Sequence, residues 1–164
     1  MIKNQHIIFL FTRYEFIMQE TVKCLLCDDP ERIIKFLKVY PDYKEFIGFS
    51  LSEFIKCCSK EEYVTILSER LSSKILSGKP SIVIKRVKCI LNINNARLNI
   101  LDDLMEKRNK IVHEGHVYEL KLDKLEMYYE TIENLLKIIA IALKKINISV
   151  VDDGDLLRDE KEYD

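Results

Sequence analysis

Apolar residues recur every three or four positions through most of this chain, a spacing that predicts helices rather than strands. The first helix, over residues 2–27, has one broad apolar face, and the last, from Leu125 to Ile146, has the most regular period. Between them the pattern predicts helices at 30–40, from Ser50 or Ser52 to Cys58, at 60–77, at 82–91 after a corner at 79–81, and up to His113, with a turn or short helix at 43–49. The chain should therefore be all-α.

Polar residues that suit helix starts stand before several of these segments. Asp29 can cap the helix that begins at Pro30. Ser59 should accept the amide of Glu62 while the Glu62 side chain reaches back, as in a capping box. Asp123 resembles the start of a second box before the last helix. These residues predict where three helices begin.

Glycines and asparagines predict where helices end. Gly78 should stop the helix that Ser59 opens, and Gly115 should stop the one that contains His113. Asn92, Asn94 and Asn95 provide a break and a cap before that helix. The β-branched run 82–84 leaves a local strand open as an alternative to helix.

The helix that ends at Gly115 carries an arginine on its apolar side. This side is formed by Leu101, Leu104, Met105, Ile111 and Val112. Arg108 lies near its middle, and Asn109 and His113 lie together at its edge, one turn apart. A guanidinium cannot be neutralised, so its position requires a paired anion, a subunit interface or a cleft.

The segment Arg108-Asn109-Lys110-Ile111-Val112-His113 resembles the Arg-x4–6-His motif of the HEPN superfamily, in its common Arg-Asn form. The resemblance covers about 94–147 and implies a HEPN-like up-and-down helical bundle, here with extra N-terminal helices. Many HEPN domains are metal-independent endoribonucleases of toxin–antitoxin and antiviral systems. The resemblance therefore implies an RNA substrate and a site without metal or cofactor.

The residues of the motif suit cleavage of RNA by its own 2′-hydroxyl. His113 can transfer protons, because an unperturbed histidine has a pKa of about 6.5. Arg108 can hold the phosphate, and Asn109 can orient phosphate or ribose or fix the tautomer of His113. On a straight helix Arg108 and His113 differ by roughly 140° in direction. The two side chains therefore do not share a face of one helix. The resemblance implies a homodimer, in which the motifs of both copies meet in one composite cleft.

Further residues are candidates for supporting roles. Asp102 and Glu106 lie on the same side of the helix as Asn109. His116 follows Gly115 as a loop residue and could contact substrate. An RNA backbone could bind the basic residues Lys110, Lys85, Arg86 and Lys88, although a solvated helix face is the simpler interpretation of the last three.

Other interpretations stay open at this point. Arg108 could form a structural salt bridge, for example with Glu69, and His113 could simply interact with the last helix carbonyls. The domain could also be a catalytically silent HEPN module that binds a nucleotidyltransferase partner, a nucleotide or RNA, or a helical adaptor with a chance motif. Some HEPN toxins carry a modifiable tyrosine two residues after the histidine; here that residue is Gly115, and the nearest tyrosine is Tyr118.

Composition limits these possibilities. The 164 residues are 48% hydrophobic and 32% charged, which predicts one domain over 1–151 and a mobile acidic tail over 152–164. A net charge of −1 means that any RNA contact must come from a local patch. The apolar run 7–11 is too short to cross a membrane and lacks the features of a signal peptide.

Five cysteines, an odd count, favour a reducing, cytoplasmic setting over a disulfide framework. The pairs Cys24–Cys27 and Cys57–Cys58 could in principle bind zinc. Adjacent cysteines inside a helix point apart, however, so we expect small core residues and no metal.

Overall fold

The computed structural model describes residues 2–48, 50–93 and 98–149, and the regular secondary structure in these ranges is all helical. The helices are α1 (Ile2–Asp28), α2 (Glu31–Val39), a 3₁₀ helix (Pro41–Ile47), α3 (Leu51–Lys56), α4 (Lys60–Ile75), α5 (Pro80–Val87), α6 (Leu98–Glu114) and α7 (Leu122–Lys144). The predicted all-α class is confirmed. Predictions for Asn94, Asn95 and the tail 152–164 fall outside the described residues.

The capping predicted at Ser59 is confirmed. Its hydroxyl oxygen accepts the amide of Glu62 at 3.1 Å. The Glu62 carboxylate reaches back one residue further than predicted and accepts the Cys58 amide at 2.7 Å. At the start of α2 the carboxylate of Asp29 accepts the Glu31 amide at 3.0 Å, so this residue also satisfies a free helix donor.

The cap predicted at Asp123 is wrong. Helix α7 begins at Leu122, so Asp123 lies inside the first turn and Lys121 occupies the residue before it. A carboxylate in a first turn is still favourable, because the helix dipole places partial positive charge there. The acidic residue at 123 therefore reflects the preference for negative charge in the first turn of a helix. The residue at the cap position, Lys121, forms no capping hydrogen bond with its side chain.

Both glycines predicted to end helices have left-handed backbones. Gly78 has φ +100° and Gly115 has φ +65°. Helix α4 ends at Ile75, slightly before the predicted end, and residues 82–84 are helical, so the alternative of a strand there is wrong. The segment around Gly115 is also closed by a hydrogen bond from the His116 amide to the Lys110 carbonyl at 3.1 Å.

Helices α1 and α6 form the centre of the bundle. Helix α1 packs on α2, α4, α6 and α7, and α6 packs on α1, α5 and α7. The largest fully buried side chains are Tyr128, Phe36, Ile7, Met18, Leu25, Leu26, Leu71, Ile75, Ile84, Leu101, Leu104 and Leu135. Burying a side chain of this kind contributes about 1.5–3 kcal/mol, so these contacts dominate the stability of the bundle.

Helix α7 shows where periodicity alone misleads. Tyr128 is fully buried, as its place in the pattern predicts, but Tyr129 is 39% exposed. The hydroxyl of Tyr129 instead forms a hydrogen bond with Nδ1 of His6 at 2.9 Å. A phenol can combine a packed ring with a polar tip at the surface, which the spacing of apolar residues does not reveal.

Among the described helices, none combines the length and the apolar character that a membrane span requires. All five cysteines are free thiols. None of them is buried, and Cys24 and Cys58 are exposed, so the prediction that they are small core residues is wrong.

Candidate active site

Arg108 is half-buried and has no acidic partner in the described part of the chain. Its Nη1 donates to Oδ1 of Asn109 at 3.0 Å, while its Nε is buried without a hydrogen-bond partner there. Glu69, the partner suggested by the salt-bridge interpretation, is bound by Lys23 at 2.7 Å. No acid in the described part of the chain neutralises Arg108, so its charge is available to an anion.

The apolar side of α6 leaves the core as the helix approaches Gly115. Leu101 and Leu104 are completely buried. Further along, Met105 and Ile111 are only partly buried, and Val112 is 45% exposed. We call Met105, Ile111 and Val112 the open stripe of α6. Met105 and Ile111 still pack against the core, so Arg108 lies beside an apolar side that a single copy covers in part and that is exposed at Val112.

His113 lies in the last turn of α6 and is exposed. Helix α6 is continuous from Leu98 to Glu114. The side chains of Arg108 and His113, five residues apart, therefore differ by roughly 140° in direction and are separated by about 7.5 Å along the helix axis. Within one copy the two side chains therefore face different ways. Asn109 is half-buried, and it points in a direction between those of Arg108 and His113. It forms a hydrogen bond with Arg108, whereas His113 has no contact among the described residues.

A cleft of about 430 Å³ opens along the first half of α6. Its lining residues are Lys79, Asn99, Asp102, Asp103, Met105, Glu106 and Asn109, and we call it the motif cleft. The structure thus brings together three predicted site residues, Asp102, Glu106 and Asn109. The sequence analysis did not predict Lys79, Asn99 or Asp103. Asn99 could have been predicted, because it lies at i with Asp102 at i+3 and Glu106 at i+7, so the three share one side of the helix.

The two acids predicted to support the site have partners within the chain. Asp102 accepts the backbone amide of Ser81 at 2.9 Å and so fixes the start of α5 against α6. Glu106 is bound by Lys110 at 2.9 Å, and this contact lowers the pKa of Glu106 and raises that of Lys110. Asp102 therefore shapes the cleft, and Glu106 keeps a charge at its rim.

Asp103 connects α6 to α7. The hydroxyl of Tyr128 donates to its carboxylate at 2.6 Å, Lys124 lies 3.1 Å away, and Lys107 forms a further ion pair. Partial burial would raise the pKa of Asp103, but the hydrogen bonds from Lys107, Tyr128 and Lys124 outweigh it and lower the pKa to about 2. The Asp103 carboxylate is thus charged at neutral pH and holds the two helices that flank the site.

The predicted basic cluster divides into two groups. Arg86 donates to the carbonyl oxygens of Ile75 at 3.1 Å and Ser77 at 2.5 Å, so its guanidinium closes the end of α4. Lys85 on α5 and Lys88, which follows its last residue, are exposed. Within this cluster, Lys85 and Lys88 are therefore the side chains available to a phosphate backbone.

The loop after Gly115 folds back onto the bundle. The rings of His116 and Tyr118 lie 4.4 Å apart, and the Tyr118 amide donates to Oδ1 of Asn4 at 3.3 Å. Nζ of Lys107 lies 5.8 Å from the centre of the Tyr118 ring. His116 is exposed, so its ring is open to a neighbouring molecule.

An all-α bundle that ends its central helix with Arg108-Asn109 and His113 has the features of a HEPN domain. The chain matches the RiboL-PSP-HEPN family over residues 2–145, and it belongs to that family. The predicted HEPN membership is confirmed. The match begins in α1, so the residues before the motif helix are part of the family domain and the resemblance extends beyond the predicted range of 94–147. No curated protein and no solved structure matches the chain.

Proposed function

We propose that this HEPN domain is a metal-independent endoribonuclease whose active site forms between two copies of the chain and that it serves as a toxin or antiviral effector. The observation that carries the proposal is the guanidinium of Arg108, which is half-buried without a carboxylate partner among the described residues. A charge in such a place is costly unless an anion binds it. A phosphodiester is an anion with the geometry that the guanidinium fork fits.

Pairing of two copies supplies what one copy lacks. The open stripe of α6 is partly exposed apolar surface next to the motif, and a second copy would remove the rest of it from water. A two-fold axis near the stripe would place each motif against its own image. Arg108 of one copy could then reach the phosphate that His113 of the other copy acts on. This arrangement removes the difficulty that the two side chains diverge on one helix.

The chemistry follows from these side chains. The 2′-hydroxyl of the RNA loses its proton to a general base and attacks the adjacent phosphorus, and the 5′-oxygen leaves with a proton from a general acid. His113 serves in proton transfer, and Arg108 stabilises the charge on the phosphorane oxygens. Asn109, bonded to Arg108 at 3.0 Å, orients the guanidinium. The products are a 2′,3′-cyclic phosphate and a 5′-hydroxyl.

The activity can be tested on single-stranded RNA in excess EDTA. We expect cleavage that leaves 2′,3′-cyclic phosphate ends, and a loss of about 100-fold or more in rate for Arg108→Ala and for His113→Ala. Arg13→Ala is a matched control, because Arg13 is an exposed arginine on α1. Equal cleavage by wild type and both motif variants would reject the enzyme.

The composite site has a test of its own. Arg108→Ala and His113→Ala should each be inactive alone. When the two variants are mixed and exchange subunits, half of the dimers contain one copy of each, and in such a dimer one of the two Arg–His pairs is intact. We therefore expect the mixture to recover about a quarter of wild-type activity. A mixture as inactive as its components would place Arg108 and His113 of the same copy in each site.

A silent binding module is the second candidate. It is favoured by the exposure of His113, which has no described contact that orients its ring. A monomer in light scattering that binds a 2′-deoxy oligonucleotide or a nucleotide but leaves RNA intact would support this alternative and remove the basis of the composite site.

A further inference from the structure

The side of α1 that faces solvent carries two large aromatic residues. Phe9 is 58% exposed and Phe16 is 65% exposed. They lie seven residues apart, so both point the same way, nearly opposite to the buried side chains of Ile7 and Met18. This side of α1 therefore points away from the helices on which α1 packs, α6 among them.

Two charged residues of opposite sign share this side. Arg13 lies between the two phenylalanines, and Glu20 follows Phe16 by one turn. Both are exposed. We call Phe9, Arg13, Phe16 and Glu20 the α1 stripe. Its aromatic and its charged residues each repeat after seven positions, the spacing at which one side of a helix stays in contact with a second helix.

The described part of the chain holds no partner for either charge. The residues one turn before and after Arg13, at positions 9, 10, 16 and 17, are all apolar. Glu20 has Lys23 one turn ahead, but Lys23 binds Glu69 of α4 at 2.7 Å. Arg13 and Glu20 lie about 10.5 Å apart along the helix axis, which is too far for an ion pair along one side of α1. In a single copy both charges are therefore hydrated at the surface.

We propose that the α1 stripe binds the α1 stripe of a second copy, with the two helices antiparallel. A two-fold axis midway between positions 16 and 17 places Arg13 of each copy opposite Glu20 of the other, because such an axis makes every contact twice. The Phe16 rings of both copies then meet near the axis and leave water. A parallel pair would set Arg13 against Arg13 and Glu20 against Glu20. The order of the charges thus selects antiparallel pairing of identical chains.

This contact differs from the one proposed for the active site. That one uses the open stripe of α6, and the α1 stripe points away from α6. A chain that makes both contacts forms assemblies larger than a dimer, whereas the α1 contact alone gives a dimer. The residues 9–20 span little more than three helical turns, so the contact buries a small area and its population should rise with protein concentration.

Charge reversal tests the pairing, measured by sedimentation velocity of the full-length protein over a concentration series. We expect Arg13→Glu and Glu20→Arg each to weaken association by about tenfold or more, because each creates two like-charge contacts. An equimolar mixture of both variants should recover wild-type association, since one copy supplies two acids and the other two arginines. Glu15→Arg is the control, because Glu15 is exposed on α1 but points roughly 140° away from Glu20.

Recovery on mixing also excludes loss of folding as the cause, because misfolded variants would not gain association from each other. Two results overturn the proposal. The first is association that neither reversal weakens, which includes a wild-type protein that stays monomeric at every concentration. The second is a mixture that associates no better than its components. None of these measurements involves RNA cleavage, so the result is independent of the function proposed above.

Discussion

The hydroxyl of Tyr128 donates a hydrogen bond to Oδ2 of Asp103 at 2.6 Å, and this contact joins α7 to the helix that carries the motif. Tyr128 is fully buried, and Asp103 lines the motif cleft. The contact therefore fixes α6 against α7 at a position five residues before Arg108. Because the acceptor is charged, the hydrogen bond is stronger than one between neutral groups.

Loss of this hydrogen bond should be measurable as stability. We expect Tyr128→Phe to lower the free energy of unfolding by about 1.5–3 kcal/mol, the range for a hydrogen bond to a charged group, in urea denaturation at pH 7. Tyr129→Phe is the control, since its hydroxyl contacts His6 at the surface, and it should cost less than about 1 kcal/mol. Equal losses for the two variants would contradict the role of the Asp103 contact.

The same carboxylate should contribute to stability in a way that depends on pH. The pKa of Asp103 is about 2 in the folded protein, below the ordinary value of 3.8. A lowered pKa means that the contribution is fully present above the unfolded pKa and is lost as pH falls through the folded pKa. The difference in stability between wild type and Asp103→Asn should therefore be constant above about pH 5 and shrink toward pH 2. A difference that persists unchanged at pH 2 would exclude this origin.

Gly115 should resist substitution because of its backbone. With φ at +65° and nothing within 4 Å of an added Cβ, an alanine there is strained but not crowded. We expect Gly115→Ala to cost about 1–2 kcal/mol in thermal or chemical unfolding. Gly48 has φ −56° and an ordinary contact of 3.8 Å, so Gly48→Ala should leave stability unchanged or raise it slightly. The reverse order of the two variants would contradict the interpretation.

Arg108 should be dispensable for folding. Its replacement by methionine breaks no ion pair of the described chain and removes a buried Nε that has no partner. We expect Arg108→Met to retain or raise the melting temperature at a fixed protein concentration, while RNA cleavage falls by about 100-fold. A fall of more than about 4 °C, the shift expected for over 1 kcal/mol in a domain of this size, would make the arginine structural.

The sequence predicted those features that depend on local spacing. The all-α fold, the HEPN membership, the Ser59 cap and the two glycine stops are confirmed, because each arises within about one helical turn or from a regular period. The start of α7 was misjudged at Asp123, since first-turn acids and caps favour the same residues. The roles of Arg108, Asn109 and His113 remain predictions.

Features that join distant segments could not be predicted. The partner of Asp103 lies on another helix at Tyr128, and that of Asp102 is the amide of Ser81. Lys79 reaches the motif cleft from the corner before α5. No periodicity within one helix indicates which side chains of another will face it. Packing decides these contacts, and it requires the folded chain.

Helix α1 is held by contacts that span most of the polypeptide. Asn4 accepts the amide of Tyr118, 114 residues away, and His6 contacts Tyr129, 123 residues away. Such contacts close very long loops, and proteins rich in them fold more slowly than bundles built from neighbouring hairpins. During synthesis, α1 is therefore made long before the helices that cover it, and its apolar face stays exposed until they follow.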